Sequence, residues 1–168
     1  MENEHDDKKR RSLLDKVDKL ILNELQHDDR ISSSDLAKKL GIAKSTLTYR
    51  IKRLEDEKII LGYRAIVDPS KLGKDEQMIV RIRAKFGSGY HEKVGKMLSN
   101  IPGVYAVYFV FGENDFVILA RAENREELFE KMQILFNSDF VERTTTEVVT
   151  KVIKEDFGTY LQVNNGTK

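Results

Sequence analysis

The hydrophobic period of this chain differs between its first and second parts. Up to residue 54, apolar residues recur every three or four positions, as in Leu14, Val17, Ile21 and Leu25, and this spacing predicts amphipathic helices. Over residues 77–86, apolar residues alternate with mostly charged ones, which predicts a strand with one buried face and opens a part in which strands and helices follow each other. The 168 residues are therefore predicted to form an α+β protein with a helical domain followed by a sheet domain.

The first part of the chain is predicted to form three short helices. Ser12 is placed to cap the first helix, and Ser33 or Ser34 is placed to cap the second. The second helix ends at Gly41, a residue that tolerates positive φ, and the third follows almost at once. The inner residues of these two helices are Leu36, Ala37, Leu40, Leu47, Ile51 and Leu54. Two helices separated by a short turn with glycine form a helix-turn-helix, supported here by the first helix.

Positive charge is concentrated on this helix-turn-helix. Residues 36–54 contain six basic side chains and no acidic one, although the net charge of the whole chain is only +1. The basic residues are Lys38, Lys39, Lys44, Arg50, Lys52 and Arg53. A surface of one sign suits double-stranded DNA, because phosphates attract cations and repel carboxylates.

The third helix has a polar face opposite its apolar side. At about 100° per residue, the outward residues are Ser45, Thr48, Tyr49 and Lys52, and the flanking residues are Lys44, Thr46 and Arg53. Hydroxyl groups bind base edges and cations bind phosphates, so we expect these residues to contact DNA. Arg50 lies nearer the core side, and two roles stay open for it: a phosphate contact, or an ion pair with an acid such as Asp35.

A linker separates the two predicted domains. Residues 59–67 are predicted to be extended, and Asp68–Pro69 ends this segment because proline restricts both itself and the residue before it. The expected segments are a disordered tail over residues 1–11, the helix-turn-helix domain over 12–60, a strand-like hinge and linker over 61–75, the sheet domain over 76–153 and a C-terminal tail over 154–168.

The second part repeats the order strand, helix, strand. Strands are predicted over residues 77–86, 104–111, 116–122 and 141–153, with helices over 91–101 and after Asn124, which forms a capping-box pattern with Glu127. This order is that of the ferredoxin-like βαββαβ sheet. The predicted inward residues include Met78, Val80, Ile82, Ala84 and Phe86 of the first strand, and Leu128, Met132, Leu135 and Phe136 of the second helix.

The second predicted strand has large apolar side chains on both faces. Residues 104–111 contain no charge; simple alternation places Tyr105, Val107 and Phe109 on one face, and Val104, Tyr108 and Val110 on the other. Two helices cover only one face of an antiparallel sheet, so the other face needs a further cover. The candidates are a second copy of the sheet and the C-terminal tail. The tail is too polar, so we expect a two-fold dimer.

Several function classes find no support in the sequence. The chain has no cysteine, which excludes disulfides and thiolate chemistry. It has no apolar run of 18 residues and no apolar signal segment near its N-terminus, so we expect no membrane span and a cytoplasmic location. No nucleophile–base pair, phosphate loop or metal-spaced set of His, Asp and Glu is visible, so we expect no enzyme, no cofactor and no metal site.

Motifs spread from about residue 14 to residue 153 resemble one known family. In the first part they are Leu14-Asp15-x-x-Asp18-x-x-Ile21-Leu22, Leu36-Ala37-x-x-Leu40-Gly41-Ile42 and Thr46-Leu47-x-x-Arg50-Ile51-x-Arg53-Leu54-Glu55. In the hinge and the second part they are Gly62-Tyr63, Val67-Asp68-Pro69, Pro102-Gly103-Val104 and Gly112-x-x-Asp115-Phe116. Together they resemble the leucine-responsive regulatory protein and AsnC (Lrp/AsnC) transcription factors, also called feast/famine regulators.

The resemblance implies a winged-type helix-turn-helix joined to a ferredoxin-like domain, the RAM domain. It also implies dimers that often associate into octamers and that bind amino acids where dimers meet. Two residues depart from the family pattern. Ala43 stands where a serine usually caps the third helix, at a cost of roughly 1 kcal/mol. Lys58 stands where glycine is usual, so a left-handed conformation there would be strained.

The turn between the second and third strands is the candidate effector site. Gly112, Glu113, Asn114 and Asp115 offer backbone N–H groups and a carboxylate for the two ends of an amino acid. The alternative is a structural hairpin whose Asp115 bonds its own backbone. The residues alone favour neither, and the resemblance favours the ligand site. Thr145 and Thr146 are candidates to line the same cleft, although threonine also suits a strand.

The predicted function is that of a transcriptional regulator. A dimer with recognition helices about 34 Å apart would bind palindromic double-stranded DNA, placing it with the nucleoid. Lys44, Lys52 and Arg53 would contact phosphates, and Ser45, Thr48 and Tyr49 would contact bases. Two alternatives belong to other classes: an amino-acid-binding module without DNA binding, and a subunit similar to sirohaem decarboxylases. The second strand and its turn contain no histidine, which argues against the decarboxylase.

Overall fold

The structure, a computed structural model, describes residues 14–28 and 30–163 and divides the chain into two compact units. Among these residues, the first unit contains 14–66 together with 155–163, and the second contains 67–154. The predicted tail over residues 1–11 and the predicted cap Ser12 lie outside the described residues.

The first unit contains the three predicted helices. They are α1 (Lys16–His27), α2 (Ser33–Leu40) and α3 (Lys44–Asp56). Gly41 follows α2 in the left-handed region, with φ of 66°, so α2 and α3 form a helix-turn-helix. Their shared core consists of Ile21, Leu22, Leu36, Ala37, Leu47 and Leu54. The apolar periodicity therefore identified the buried face of each helix correctly.

The helix termini differ from the predicted ones. Asp15, not Ser12, caps α1, and it forms a capping box with Asp18. Ser32, rather than Ser33 or Ser34, caps α2 by accepting a bond from the N–H of Asp35 at 3.1 Å. Apolar spacing locates the buried stripe but leaves the position of the first turn open by several residues, which explains these errors.

Two features after α3 follow from local backbone geometry. Lys58 has φ of 58°, so the departure from glycine does place a side chain in the left-handed region. Residues 59–67, predicted to be extended and to lead into a strand-like hinge over 61–75, form no strand, and a 3-10 turn follows at Ser70–Leu72. A strand requires a hydrogen-bonded neighbour, and residues 59–67 have no strand partner among the described residues.

The second unit is an antiparallel sheet with two helices. Its elements are β1 (Glu76–Ala84), α4 (Tyr90–Ser99), β2 (Val104–Phe109), β3 (Phe116–Ala122), α5 (Arg125–Phe136) and β4 (Val141–Val148). The strand order β2-β3-β1-β4 is that of the predicted ferredoxin-like fold. Asn124 caps α5 as predicted, accepting from the N–H of Glu127 at 2.9 Å. The Glu127 carboxylate accepts from the N–H of Glu123 instead of that of Asn124, so the reciprocal bond of the predicted capping box is shifted by one residue.

One face of this sheet packs against α4 and α5. The core contains Met78, Val80, Ile82, Phe116 and Ile118 from the strands, and Val94, Leu98, Met132 and Leu135 from the helices. Phe86, predicted to point inward, is 70% exposed because β1 ends at Ala84. Phe136 is also exposed, whereas Lys131 is buried and donates to the carbonyl oxygen of Arg121 at 2.9 Å.

A β-bulge changes which side chains of β2 share a face. The register between β2 and β3 shifts between Val104 and Ala106, and the extra residue reverses the alternation there. Tyr105 therefore shares a face with Tyr108 instead of Val107, and its ring lies 4.6 Å from the guanidinium carbon of Arg121. The residues of this helix-free face include Ile79, Ala106, Tyr108, Val117 and Leu119.

The turn before β2 generates a stability prediction. Gly103 has φ of 83°, and a Cβ there would come closer than 3.0 Å to the carbonyl oxygen of Arg121 and to the ammonium of Lys131. We expect Gly103→Ala to lower the free energy of unfolding by about 3 kcal/mol in urea denaturation, combining backbone strain with a clash. Gly73→Ala is the matched control, because Gly73 has a similar φ of 68° with nothing near its Cβ position. Equal losses for the two variants would contradict the clash.

Candidate nucleic-acid interface

The outward face of α3 is exposed and, over residues 44–53, free of acidic side chains. Lys44, Ser45, Thr46, Thr48, Tyr49 and Lys52 are all exposed, Tyr49 by 69%, whereas Leu47 and Leu54 are fully buried on the opposite side. The structure therefore brings these six predicted DNA contacts to one accessible surface, which we call the recognition face. Its hydroxyl, aromatic and ammonium groups can bind both bases and phosphates.

The N-terminus of α3 lacks a side-chain cap. Ala43 occupies the cap position in an extended conformation, with φ of −67° and ψ of 143°. Within residues 14–28 and 30–163, the N–H groups of Lys44, Ser45 and Thr46 meet no acceptor. Uncapped N–H groups at the positive end of a helix attract anions, and Lys44 adds a full charge beside them. The departure at Ala43 thus leaves donors available for a phosphate.

Two recognition-face side chains already have weak partners. The Thr48 hydroxyl donates to the carbonyl oxygen of Lys44 at 3.0 Å, so its oxygen remains an acceptor for an amino group on a base. The Lys52 ammonium lies 3.5 Å from the Asp56 carboxylate, and both groups are largely exposed. An exposed pair of this kind contributes little stability, so a DNA phosphate can replace Asp56.

A buried carboxylate links α1 to α3. Asp18 is fully buried, and its two oxygens accept from the Arg50 guanidinium at 2.8 Å and from the Arg53 guanidinium at 2.6 Å. Arg50 also donates to Asp15 at 2.6 Å. We call these four residues the Asp18 lock. A buried charge is costly unless hydrogen bonds replace its hydration, and the Asp18 carboxylate accepts three, from the two arginines and from the N–H of Asp15. Among the described residues, the buried Nε of Arg53 has no partner.

The Asp18 lock decides between the two roles left open for Arg50. Arg50 pairs with acids, but with Asp15 and Asp18 rather than Asp35, whose carboxylate instead accepts from the Ser32 hydroxyl. Arg53 was predicted to contact phosphate from the flank of α3, whereas the structure directs its guanidinium to Asp18. The sequence placed Asp18 in a family motif but did not identify it as the buried partner of Arg50 and Arg53. Its position on the stripe of Leu14, Ile21 and Leu25 was the available signal, because a carboxylate there must be buried with a partner.

The charges of the lock shift the pKa values of its outer members. Hydrogen bonds to Asp15 and then to Asp18 raise the pKa of Arg50. Partial burial raises the pKa of Asp15, but the N–H of Asp18 and the guanidinium of Arg50 outweigh it and leave this pKa below its ordinary value of 3.8. Because the pKa of Asp15 is lowered in the folded chain, its ionised carboxylate stabilises the fold at pH values above 3.8. This stabilisation is lost as the pH falls through the lowered pKa.

The predicted effector turn is tied to the end of β1. The Asp115 carboxylate accepts from the N–H of Ala84 at 2.8 Å, and its other oxygen lies 3.4 Å from the Tyr90 hydroxyl. The Glu113 carboxylate accepts from Arg143 at 2.6 Å. Asp115 therefore has a structural role, although its partner is a neighbouring strand and not its own hairpin. Among the described residues, the N–H groups of Gly112, Glu113 and Asn114 meet no acceptor.

The two threonines of β4 do not lie together. Thr145 pairs with Arg81 on the helix-free face, whereas Thr146 pairs with Val80 and its hydroxyl lies 3.5 Å from the Met132 sulfur on the helix face. Successive side chains of a strand point to opposite faces, so the prediction that both line one cleft is wrong.

Comparison with known proteins identifies the family. Residues 14–60 match the winged helix-turn-helix DNA-binding family model, and residues 77–159 match the Lrp/AsnC ligand-binding domain. The chain is 36% identical over 145 residues to an HTH-type transcriptional regulator of Pyrococcus abyssi. The alignment covers 86% of this chain and 97% of that protein. The chain belongs to the Lrp/AsnC family of transcriptional regulators.

Solved structures of Lrp/AsnC regulators share the whole fold. A transcriptional regulator from Neisseria meningitidis, in complex with L-methionine, superposes with a TM-score of 0.82 at 25% identity, over 90% of this chain and 97% of that one. A feast or famine regulatory protein from M. tuberculosis, also complexed with L-methionine, has a TM-score of 0.80 at 28% identity, over 88% and 99%. The predicted family and fold are thus confirmed.

Two kinds of feature are absent from the described part of this Lrp/AsnC chain. Within the part that the structure describes, no group of three or more His, Cys, Asp or Glu residues is arranged to hold a metal ion. None of the described helices has the length and apolar character needed to cross a membrane.

The Asp18 lock generates a prediction for the helix-turn-helix. We expect Asp18→Asn to destabilise the first unit by about 3 kcal/mol, because it leaves two arginines without their buried counter-charge. Hydrogen exchange of α1 and α3 amides under native conditions measures this loss in the intact chain. Asp56→Asn is the control, since it removes only the exposed pair with Lys52 and should change exchange by less than about 1 kcal/mol. Similar results for the two variants would refute the lock.

Proposed function

We propose that this regulator binds palindromic DNA as a homodimer through the recognition face of α3. The observation that carries the proposal is the coincidence of an exposed face, acid-free over residues 44–53, with an uncapped helix N-terminus. That combination offers donors to phosphates at one end and hydroxyl groups to bases along the side.

Each recognition-face residue has a proposed part in this contact. Lys44, Lys52 and the free N–H groups of α3 hold phosphates and set the position of the helix. Ser45, Thr48 and Tyr49 touch base edges, and Thr46 supports them from the flank. Arg50 and Arg53 act mainly by fixing α3 against α1, and their side chains, 23% and 32% exposed, add positive charge beside the phosphates.

The helix-free face of the sheet supports the dimer. Ile79, Val117 and Leu119 are only half-buried there, and Tyr108 is exposed. A self-complementary contact between two such faces is the simplest cover, and it has two-fold symmetry. Two recognition helices about 34 Å apart then match the major grooves of successive turns. We extend the proposal to octamers built from four such dimers, acting at the nucleoid in the cytoplasm.

DNA binding by the recognition face is tested with a fragment selected from the source genome by the wild-type protein. Lys52→Ala should weaken binding to all sequences alike and reduce the slope of log affinity against log salt by about 1, because one phosphate contact is lost. Thr48→Ala should instead change sequence preference and leave the slope intact. Lys71→Ala, which removes an exposed lysine of the second unit, is the control. A Lys52→Ala protein that keeps its affinity and salt slope would refute the proposed contact.

We also propose an amino-acid effector bound at the turn Gly112–Asp115. The free N–H groups of Gly112, Glu113 and Asn114 suit an α-carboxylate, since successive N–H groups form an anion-binding concavity. The Asp115 carboxylate keeps unused lone pairs beside its bond to Ala84, and these suit an ammonium group. Two related regulators are in complex with L-methionine, which makes it the first ligand to try.

The role of Asp115 is tested by titration calorimetry with L-methionine. Asp115→Asn keeps an oxygen acceptor for the N–H of Ala84, so the fold should persist, but it removes the charge that an ammonium needs. We expect binding at least about ten times weaker, the size of one charge-assisted hydrogen bond. Thr145→Val, which lies on the helix-free face away from Thr146, is the control. Equal affinity in the Asp115→Asn protein would leave Asp115 only its structural role.

A further inference from the structure

The C-terminal segment of the chain returns to the DNA-binding unit. Residues 155–163 belong to the first unit, although they follow β4 and residues 149–154 of the second. The Asn23 side chain of α1 donates to the carbonyl oxygen of Leu161 at 2.8 Å and accepts from its N–H at 2.8 Å. The Gln26 side chain donates to the carbonyl oxygen of Thr159 at 3.1 Å and accepts from its N–H at 2.6 Å.

The geometry of these four bonds matches an extended peptide. Asn23 and Gln26 are three residues apart on a helix, where side chains are neighbours about 5–6 Å apart. Thr159 and Leu161 are two residues apart, about 6.6 Å along an extended chain, and their polar backbone groups point to the same edge. Two side-chain amides on α1 therefore imitate the edge of a neighbouring strand. The recognition uses backbone atoms, so any extended segment could satisfy it.

Side chains fix which residues dock there. Leu161 packs against the buried cluster of the first unit, whose members include Ile21, Leu22 and Leu36. The Phe157 ring lies 6.0 Å from the guanidinium carbon of Arg64, also in the first unit, which is within the range of a cation–π contact. The segment is therefore held by an apolar contact at Leu161 and by a cation–π contact at Phe157, in addition to its four hydrogen bonds.

We propose that residues 157–161 are a strap whose docking on α1 sets the DNA affinity of this regulator, with Asn23 and Gln26 as positioning residues. The strap restrains the C-terminal half of α1, and the N-terminal half of the same helix supplies Asp15 and Asp18 to hold Arg50 and Arg53 of α3. A helix transmits a restraint along its length because its backbone hydrogen bonds make it rigid. Releasing the strap loosens the Asp18 lock and with it the recognition face.

The strap also gives the two units a second covalent connection. The chain passes between them once near residues 66–67 and again near residues 154–155. The second passage continues from β4, whose Arg143 binds Glu113 of the proposed effector turn. A change at that turn therefore has a path along β4 to the strap. The inference rests on the proposed DNA-binding function, because its consequence is a change in DNA affinity.

The test compares the intact chain with the double variant Asn23→Ala, Gln26→Ala at a temperature where circular dichroism shows both fully folded. We expect the α1 amides of the double variant to exchange about ten times faster. Its affinity for the selected DNA fragment should fall at least five-fold, with an unchanged salt slope because Lys44 and Lys52 are intact. His27→Ala, which alters an exposed side chain at the end of the same helix, is the control.

A double-mutant cycle assigns the effect to the strap. Asn23→Ala and Leu161→Ala should weaken DNA binding by less together than the product of their separate effects, since either change releases the same segment. Unchanged α1 exchange in the double variant would overturn the docking. Faster exchange with unchanged DNA affinity would show that the strap only completes the core, and would overturn its positioning role. A wild-type chain that binds no DNA would refute the proposed function, while hydrogen exchange still tests the docking separately.

Discussion

The buried carboxylate of Asp18 is the interaction on which the DNA-binding unit depends. It lies on the apolar stripe of α1, where an unpaired charge would be too costly to fold, and it accepts from two arginines of α3. Hydrophobic contacts alone would allow α3 to rotate or slide against α1, since apolar packing has little directional preference. Charge-assisted hydrogen bonds at 2.6–2.8 Å have that preference and fix one orientation of α3. The outward direction of Ser45, Thr48 and Lys52 follows from it.

This arrangement divides the cations of α3 by function. Arg50 and Arg53 are closest to the core, and their planar guanidinium groups suit a shared carboxylate. Lys44 and Lys52 lie on the exposed side, where a flexible ammonium group can follow a phosphate. The uncapped N-terminus at Ala43 belongs to the same division. A serine at position 43 would stabilise α3 by accepting from one of its first N–H groups. Ala43 gives up this stabilisation and leaves that N–H group available for an anion.

In the second unit, one face of the sheet carries many apolar side chains, and no helix among the described residues covers it. α4 and α5 cover the face that contains Val80, Ile82 and Ile118. The bulge in β2 then moves Tyr105 to the other face, beside Arg121 and on the same face as Tyr108. That face combines aromatic rings and aliphatic side chains with arginines. Such a mixture suits an interface between copies of a chain better than it suits water.

The sequence by itself determined the helix-turn-helix, the strand order and the family. The helices and strands follow from periods and turn residues that act over a few positions, such as the stripe ending at Leu25 or the cap at Asn124, and the family follows from motifs spread over residues 14–153. The polarity of the recognition face was equally readable, because a helix of known phase has only one outward side. Tertiary structure decided the rest. The partners of Asp18 are 32 and 35 residues away in sequence, and those of Leu161 are 138 residues away. No local pattern specifies contacts over such distances, because they depend on how helices pack. The bulge at Tyr105 likewise depends on register with β3, which a single strand does not contain.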